Sequence, residues 1–459
     1  MTDSAQTTHE VEIDNSNRNT TPQTNTFAEY ISSQWAERPD ELPAEFPVAP
    51  FAAARRTALA AQFPGQRLVI AAGAMKQRSN DTFYQFRAHS AFSHLTGWGA
   101  ESEPGAILVL DPAGDAHTAT LYFRERAGRD SDEFFANPEI GEFWIGPRPS
   151  LGQVAAALGV ATAHLAEFAP TDADRTLEDT ELARAASELR LVKDSYELAE
   201  MQAAVDATAT GFTEVLAALP AASAHPRGER IVEGVFNQRA RLDGNTVGYE
   251  TIAASGPHAC TLHWIRNDGP VMSGDLLLLD AGVELDSLYT ADITRTVPVS
   301  GTFSEVQRRV YDAVLEAADA ARAIVRPGIR FGDIHDAAMQ VIERRTREWG
   351  FLPEDDGTAY YRRYMVHGTS HHLGLDVHDC AQARRDMYMD GILEPGMVFT
   401  IEPGLYFQPD DLTVPAEYRG IGVRIEDDIV VTEDGCVNLS ANIPRTADDV
   451  EAWIRTAQA

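Results

Sequence analysis

The stretch LLLLDAGVELDSLYTADITRTV, residues 276–297, places two aspartates inside two otherwise apolar strands. Asp286 and Ser287 between them are typical turn residues, so the stretch predicts a β-hairpin. In a hairpin the summed numbers of facing residues are nearly constant, which puts Asp280 and Asp292 approximately opposite each other. Like charges with Cβ atoms about 4.5–5.5 Å apart repel each other unless they are neutralised. A divalent cation would neutralise them; the alternative is one solvated edge aspartate and a hairpin shifted by one residue.

A second strand, GVRIEDDIVV at residues 422–431, also carries charges in an apolar setting. The two-residue period of a strand puts Arg424 and Glu426 on one face, and Val423 and Ile425 on the other. If the apolar pair faces the core, Glu426 points into whatever the sheet encloses. The alternative is an exposed Arg–Glu pair on the outer face.

Two further segments add candidate ligands. In FTIEPG, residues 399–404, Glu402 ends an apolar strand just before a turn. In HGTSHHLGLDVHD, residues 367–379, four of the 13 histidines of the chain fall within 12 positions. The glycines argue against a single helix there, so the spacing of a helical HExxH motif does not apply. Because histidine is the commonest metal ligand, this density indicates a site.

Four carboxylates and one imidazole form a hard, oxygen-rich donor set. Such a set suits Mn²⁺, Co²⁺, Fe²⁺ or Zn²⁺ better than a structural zinc, which prefers thiolates, and calcium would not favour the imidazole. An acidic set of this size can hold two cations about 3.5–4 Å apart. Such a pair would lower the pKa of a shared water and stabilise the oxyanion of a tetrahedral intermediate, which is the chemistry of hydrolysis.

The composition excludes several classes of protein. The 459 residues include 38 Lys and Arg against 70 Asp and Glu, for a net charge of −32, which disfavours nucleic-acid binding. No stretch approaches the roughly 20 apolar residues of a membrane span, and the first 26 residues lack the apolar core of a secretory signal. The three cysteines, Cys260, Cys380 and Cys436, form neither a disulfide framework nor a CxxC pair. We therefore expect a cytoplasmic protein without membrane or nucleic-acid partners.

The pattern along the chain predicts three regions. Residues 1–45 are polar and then proline-rich, as expected of a disordered tail and linker. Residues 46–190 alternate strands with helices and predict an α/β domain, whereas residues 191–459 segregate helices from antiparallel-looking strands and predict an α+β domain. Helices are expected at residues 52–62, 154–168, 174–190 and 194–219, from Ser304 to the Pro327-Gly328 turn, and at residues 332–349.

The segments DAG…DITRT, HGxSHxLGLDVHD, TIEPG and GVRIEDD occur in this order and resemble the pita-bread-fold metallopeptidases of family M24. That family includes methionine aminopeptidases, prolidases, creatinases and Xaa-Pro aminopeptidases (aminopeptidase P). The likeness is greatest to the last group, because residues 78–97 are similar to a hallmark of its N-terminal domain. The resemblance implies an α/β creatinase-like N-terminal domain and an α+β pita-bread catalytic domain.

The resemblance also implies roles for individual residues. Asp280 would bind one metal, Asp292 and Glu426 would bridge two, and His371 and Glu402 would complete the second site. Glu402 would also take or relay a proton of the bridging hydroxide. The other implied site residues are His263 near the substrate, His378 at the tetrahedral intermediate, His367 at the pocket mouth and Arg424 orienting the carboxylate of Glu426.

The implied activity is hydrolysis of the N-terminal Xaa-Pro bond of peptides by a metal-bridging hydroxide. Two divalent ions are expected, manganese first, with cobalt, iron or zinc as alternatives. The implied partners are a peptide with proline in second position and further copies of the chain, as a dimer or tetramer. The alternatives are a prolidase restricted to dipeptides, a non-catalytic peptide-binding protein of the same fold, and an acidic calcium-binding protein.

Two departures from the family pattern bear on these expectations. The spacing from Asp280 to Asp292 is 12, one residue longer than in well-known members, and we expect the turn to absorb the difference. Ser93 stands where we expect relatives to carry a tryptophan near a neighbouring subunit's pocket, so substrate gating is expected to differ.

The remaining histidines near the motifs are expected to be ordinary polar residues: His372, His89, His94 and His258. Cys260 and Cys380 are expected to be packing residues.

Overall fold

The computed structural model describes residue 22 and residues 24–459. The rest of the predicted tail, residues 1–21 and 23, lies outside the described residues. Part of the predicted linker is helical: α1 spans Asn25–Ser32 and begins at Thr24, whose hydroxyl accepts the backbone N–H of Phe27. This is the favoured N-terminal cap of a helix.

The first domain is built around a five-stranded mixed sheet. Its strand order is β6-β5-β4-β1-β7, with β4 antiparallel to both β1 and β5, and with β1–β7 and β5–β6 parallel. The elements are β1 (Leu68–Ala71), β2 (Gln77–Ser79), β3 (Thr82–Phe83), β4 (Ile107–Ala113), β5 (Ala116–Phe123), β6 (Ala161–His164), β7 (Arg175–Thr176), α2 (Ala49–Ala60), α3 (Ser90–Thr96), α4 (Asp132–Phe135), α5 (Glu142–Ile145), α6 (Leu151–Leu158) and α7 (Thr180–Glu188). The α/β prediction for this domain is confirmed.

Two predicted helices of this domain are shorter than expected. The helix expected at residues 154–168 ends at Leu158, because Gly159 adopts a left-handed conformation with φ +57° that caps it. The following apolar residues form β6 instead. Likewise, the helix expected from residue 174 begins only after β7, where Asp179 caps α7. In both places a local turn signal overrides the continuous apolar pattern.

The second domain combines long helices with short antiparallel strands, as predicted. Its helices are α8 (Ser195–Ser223), α9 (Gly228–Asp243), α10 (Glu305–Ile324), α11 (Gly332–Glu348) and α12 (Ala447–Ala457). Its strands are β8 (Thr246–Val247), β9 (Ile252–Ser255), β10 (Leu276–Ala281), β11 (Val283–Glu284), β12 (Ile293–Pro298), β13 (Val398–Ile401), β14 (Gly404–Tyr406), β15 (Gly422–Arg424), β16 (Asp427–Val431) and β17 (Cys436–Asn438). They pair as β12-β10-β9, β13-β16-β17, β14-β15 and β8-β11.

Each domain has its own hydrophobic core. One cluster of buried apolar residues lies between residues 59 and 186, and the other between residues 191 and 454. The chain crosses from one to the other in the short segment between α7 and α8. There Val192 forms an antiparallel bridge with Met397, and the N–H of Lys193 donates to Gly396 O at 2.9 Å.

Two long helices begin in capping boxes, and one predicted helix end is wrong. Asp194 and Ser304 cap α8 and α10 in reciprocal capping boxes. The helix predicted at residues 194–219 stops before Pro220, yet α8 continues to Ser223. A proline in a helix leaves the carbonyl four residues earlier without its donor, and here Gln458 Nε2 donates to Leu216 O at 3.1 Å. The side chain of Gln458 therefore replaces the missing bond.

The central hairpin has a register different from the predicted one. Asp280 faces Thr294 rather than Asp292. The turn contains one residue more than expected, since the N–H of Leu285 donates to Tyr289 O and Leu288 has φ +71°. A left-handed third residue is common in longer hairpin turns. Asp292 consequently lies diagonally from Asp280 on the same face of the hairpin.

Ser93 lies inside α3 with 4% of its surface exposed, and its hydroxyl is buried without a hydrogen-bond partner. The expectation that its replacement of a tryptophan alters substrate gating stays a prediction. Across the described part of the chain, none of the helices has both the length and the apolar character needed to cross a bilayer.

Candidate metal centre and active site

One cavity of about 620 Å³ in the second domain brings together all the residues predicted to form the site. This volume is typical of a pocket for a small ligand. Its lining includes every expected metal ligand and every other expected site residue: Asp280, Asp292, His371, Glu402, Glu426, His263, His367, His378 and Arg424. Their roles stay predictions; their convergence is a property of the fold.

Strand ends deliver the acidic residues to this cavity. Asp280 lies in β10, Asp292 directly precedes β12, and Glu402 directly follows β13. Glu426 directly precedes β16, and its N–H donates to Thr294 O at 3.1 Å, which ties it to β12. The opposite face of this strand segment is core, with Ile425 fully buried, so the inward orientation predicted for Glu426 is confirmed.

The segment that carries His371 runs beside β13. The N–H of Thr400 donates to His371 O at 2.9 Å, and the N–H of Glu402 donates to Thr369 O at 2.9 Å. His371 Nε2 consequently lies 3.2 Å from Asp292 Oδ2 and 3.5 Å from Glu402 Oε1. One potential ligand atom from each of Asp292, His371 and Glu426 lies within 4.8 Å of the other two.

The acidic residues of the cavity repel one another in a buried environment. Burial and the charge of Asp292 raise the pKa of Glu426 well above its usual range, and burial is the main cause that raises the pKa of Glu402 to about 7. Burial also raises the pKa of Asp280 despite the guanidinium of Arg424 nearby. Of the described residues that line the cavity, only Arg424 carries a fixed positive charge. The site therefore has an excess of buried negative charge.

The same excess of negative charge shifts the pKa of His371. Burial alone would lower its pKa, but the hydrogen bond to Asp292 and the charge of Glu402 raise the pKa of His371 to about 9. His371 Nδ1 lies 3.2 Å from the carbonyl oxygen of His372, which fixes the orientation of the ring and leaves Nε2 directed at the carboxylates. A divalent cation among these oxygens and this nitrogen would supply the missing positive charge, so the donor set fits the expected metal.

Arg424 is placed differently from the prediction. It was expected to orient the carboxylate of Glu426, but its Nη2 donates to Asp280. Its Nε donates to Thr294 Oγ1 at 3.0 Å, and that hydroxyl donates to Glu426 Oε2 at 2.6 Å. The contact with Glu426 is therefore indirect, because the side chain of Thr294 lies between the two.

Sequence reasoning missed two tyrosines at the site. The hydroxyl of Tyr249 lies 2.6 Å from Asp280 Oδ1 and 2.5 Å from Asp292 Oδ1 and so connects the two aspartates. The hydroxyl of Tyr406 contacts Arg424 Nη1 at 3.1 Å and His367 Nε2 at 2.8 Å. Strand periodicity could have revealed Tyr406, which lies in the strand after Glu402. Tyr249 lies outside the quoted motifs and has no such signal.

The three remaining histidines lie around the acidic residues. The ring centroid of His378 is 4.3 Å from that of His371, and His367 Nδ1 is 3.6 Å from Glu402 Oε2. His263 is exposed and lies on the loop between β9 and β10. Leu262, Ile265 and Val377 add apolar surface to the same cavity.

The residues expected to be ordinary polar or packing residues lie outside the cavity lining. His372 is 1% exposed and stacks on Phe331 with ring centroids 4.7 Å apart. His258 Nδ1 lies 2.7 Å from Glu229 Oε1. Cys260 and Cys380 are buried, and burial raises the pKa of each thiol to about 12, which does not favour a nucleophile.

Comparison with known proteins shows which family the chain belongs to. The model of metallopeptidase family M24 matches residues 199–433, and the model of the aminopeptidase P N-terminal domain matches residues 52–182. The chain belongs to metallopeptidase family M24. With both domains matched, it is a metallo-aminopeptidase of the Xaa-Pro aminopeptidase group, with the two-domain architecture expected from its motifs.

Individual members of family M24 match over nearly the whole chain. Xaa-Pro aminopeptidase 1 of Streptomyces coelicolor is 51% identical over 93% of this chain and 91% of its own length. The Xaa-Pro aminopeptidase of Escherichia coli is 34% identical over 88% of this chain and 97% of its own. A solved structure of zinc-substituted E. coli aminopeptidase P in complex with product superimposes with a TM-score of 0.75 at 31% identity, covering 91% of this chain and all of the other.

Proposed function

We propose that this protein removes the N-terminal residue from peptides whose second residue is proline, and that two divalent cations serve the reaction. The observation that carries the proposal is the convergence of four carboxylates and His371 on one cavity. The relatives named Xaa-Pro aminopeptidase support the specificity. The excess of buried negative charge supports the need for cations.

The donor atoms suggest how the cations would be held. Asp280, Asp292 and Glu426 would hold one cation, and Asp292, Glu426, His371 and Glu402 the other. Bound cations would lower the pKa of a water molecule and polarise the scissile carbonyl. Mn²⁺ suits this hard donor set, and Co²⁺, Fe²⁺ and Zn²⁺ are compatible with it. The zinc-substituted relative supports a divalent ion.

The protein residues would move and hold protons around the scissile bond. Glu402 would accept the proton of the attacking water at a carboxylate oxygen, since it lies at the strand end that faces the cavity. His378, beside His371, would donate a hydrogen bond to the oxygen that becomes negative in the transition state. Tyr406 would keep His367 oriented at the pocket, because its hydroxyl contacts His367 Nε2.

The cavity also suggests why proline is accepted. The Xaa-Pro bond is a tertiary amide without an N–H, so binding must rely on the carbonyl, the free amine and the ring. The apolar side chains of Leu262, Ile265 and Val377 would contact the pyrrolidine ring. The acidic residues would attract the terminal ammonium of the substrate, which favours cleavage at the N-terminus of a peptide.

The direct test is a peptide assay on the metal-free and the reloaded protein. We expect release of the first amino acid from an Xaa-Pro-Yaa tripeptide after loading with Mn²⁺, little release from the matching Xaa-Ala-Yaa peptide, and about two metal ions per chain by elemental analysis. Absence of tripeptide turnover in the loaded protein would contradict the proposal. Cleavage of the Xaa-Pro dipeptide alone would indicate a prolidase instead.

A matched control uses another carboxylate of the same hairpin. Asp286 lies in the turn, and its side chain is exposed outside the cavity. Asp286→Asn should retain full activity, whereas Asp292→Asn should lose both activity and metal.

The homo-oligomeric state stays a prediction, and light scattering of the purified protein tests it. The cytoplasmic location likewise stays a prediction.

A further inference from the structure

Six residues, 372–377, separate His371 from His378 in the chain, and hydrogen bonds hold the backbone of this segment. We refer to residues 372–379 as the histidine turn. The N–H of Asp379 donates to His372 O at 2.8 Å, which closes the turn. His378 is exposed to the cavity, whereas Asp379, the next residue, is 1% exposed. The position of the His378 ring therefore depends on what holds Asp379.

Two cations hold Asp379 from the segment that joins the domains. Arg190 Nε donates to Asp379 Oδ1 at 2.9 Å, and Lys193 Nζ donates to Asp379 Oδ2 at 3.1 Å. The side chain of Lys193 is fully buried and that of Arg190 nearly so. Burial would raise the pKa of Asp379, but the two cations outweigh it and hold that pKa well below its usual range. Asp379 is therefore a carboxylate with both oxygens bonded.

The first domain also forms hydrogen bonds to residues 375 and 376 of the histidine turn. Ser90 Oγ, at the start of α3, donates to Asp376 Oδ1 at 2.5 Å, and Arg190 Nη2 donates to Asp376 Oδ2 at 3.3 Å. Arg87 donates to the carbonyl oxygen of Leu375. Three residues of the first domain thus bond to a turn that belongs to the second.

The packing around Gly374 leaves no space for a side chain at that position of the histidine turn. A Cβ atom added to Gly374 would lie 2.3 Å from Asp379 Oδ2 and 3.1 Å from Lys193 Nζ. The N–H of Thr290, in the central hairpin, donates to Gly374 O at 3.1 Å. The turn is consequently fixed between the hairpin that carries the aspartates and the cations at the domain junction.

Stability alone is a weak reason for so many buried charges. Replacing a buried ion pair with apolar residues is often neutral or stabilising, because desolvation offsets the attraction. None of Arg190, Lys193, Asp376 and Asp379 lines the cavity. What such bonds do provide is a fixed direction for the backbone that carries a functional side chain.

We infer that Arg190, Lys193, Asp376 and Asp379 are positioning residues that hold His378 beside His371, and that the first domain, through Ser90 and Arg190, takes part in forming the active site. The inference rests on the proposed function, in which His378 contacts the reacting carbonyl. It predicts that loosening the histidine turn slows the chemical step without removing the metal ligands.

The test uses Asp376→Asn in the full-length, metal-loaded protein. The side chain of Asp376 is 38% exposed, so the variant should fold, and the amide cannot accept both hydrogen bonds as the carboxylate does. We expect kcat on the tripeptide to fall about tenfold, with KM, metal content and melting temperature close to those of the wild type. Ser90→Ala, which removes a donor to the same carboxylate, should act in the same direction.

A double variant separates positioning from a general loss of structure. In a His378→Ala background the turn has no ring left to position, so adding Asp376→Asn should lower kcat no further. The control Asp386→Asn, an exposed carboxylate just beyond the turn, should leave kcat unchanged.

Three outcomes would overturn the inference: an unchanged kcat in Asp376→Asn, an equal further loss in the His378→Ala background, or a parallel loss of bound metal. An inactive wild-type protein would instead overturn the proposed function, and this inference with it.

Discussion

Two clusters of buried charges, one in the second domain and one at the junction of the two domains, are balanced in opposite ways. The acidic cluster (Asp280, Asp292, Glu402 and Glu426) has one guanidinium for four carboxylates. The junction cluster (Arg55, Arg190, Lys193, Glu197 and Asp379) has three cations for two buried carboxylates, and Arg55 and Arg190 also bond to the partly exposed Asp194 and Asp376. The pKa values of Asp280, Glu402 and Glu426 in the acidic cluster rise, whereas the pKa values of both buried junction carboxylates fall. The acidic cluster requires a partner from outside the chain, and the junction cluster does not.

Both clusters are buried and contain several charges, so burial alone does not separate their carboxylates. Within these two clusters the direction of the pKa shift differs, because it reports whether the protein itself supplies the opposite charge. Substitutions in the two clusters should therefore have different effects on activity and on stability.

Glu426→Gln should abolish activity without weakening the protein. We expect at least a thousandfold loss in kcat/KM, because a neutral amide is a poor metal ligand. The melting temperature of the chelated variant should rise by a few degrees, since the substitution removes a buried charge that costs stability at neutral pH. A peptide assay and a thermal melt with chelator check the two parts. A lower melting temperature would contradict the contrast.

Asp379→Asn, in the junction cluster, should lower the stability of the fold. It leaves Lys193 buried without its charged partner and Arg190 with only the partly exposed Asp376, and breaking a buried ion pair typically costs about 3–5 kcal/mol. Urea denaturation monitored by circular dichroism measures the loss. Asp333→Asn is the control: it breaks an exposed pair with Arg330 (N–O distance 3.1 Å), and such pairs contribute about 1 kcal/mol or less.

Acid should loosen the domain junction. Glu197 contacts His94 of the first domain at 3.4 Å and accepts a hydrogen bond from Tyr289. Although burial opposes the shift, its neighbours His94, Arg55 and Lys193 lower the pKa of Glu197 to about 2 from 4.5. A lowered pKa stabilises the folded state above pH 4.5, and about 3 kcal/mol should be lost as the pH falls from 4.5 to 2.

A Glu197→Gln variant isolates this contribution. Its stability at pH 6 should be lower than that of the wild type, and the dependence of its stability on pH below 4.5 should be shallower. Equal slopes for the two proteins in acid urea titrations would assign the acid sensitivity to other carboxylates.

Chelation should destabilise the wild type at neutral pH. A ligand that binds only the folded state at a hundred times its dissociation constant adds about 2.7 kcal/mol. We expect the melting temperature to fall by a few degrees on removal of Mn²⁺ and to recover on reloading. The Glu426→Gln variant should show a smaller shift, and an equal shift in both proteins would indicate that the ion binds elsewhere.

The sequence predicted the site better than the path of the chain around it. Period-two alternation put Arg424 and Glu426 on one face but left open whether that face points inward, and the neighbouring acidic motifs favoured the inward orientation that the structure shows. The predicted hairpin register was wrong, because Leu288 adopts a left-handed conformation that adds a residue to the turn. No simple sequence pattern predicts that conformation for a leucine. The direct partner of Arg424 was also missed, because the position of Thr294 depends on that register.

Other features could not be read from local sequence at all. The continuation of α8 past Pro220 depends on Gln458, more than 200 residues away in the chain. Tyr249 reaches the aspartates from the segment between β8 and β9, and Lys193 bonds to an aspartate 186 positions later. Such contacts follow from tertiary packing, which neither periodicity nor capping rules encode.

The serine and arginine contacts across the domain boundary have a consequence for protein engineering. A chimera whose first domain has other residues in place of Arg87, Ser90 and Arg190 would keep all five candidate metal ligands and still lack the groups that meet Leu375 and Asp376. Restoring Arg87, Ser90 and Arg190 in the transplanted half should therefore be the first repair of a hybrid that loads manganese yet turns over slowly.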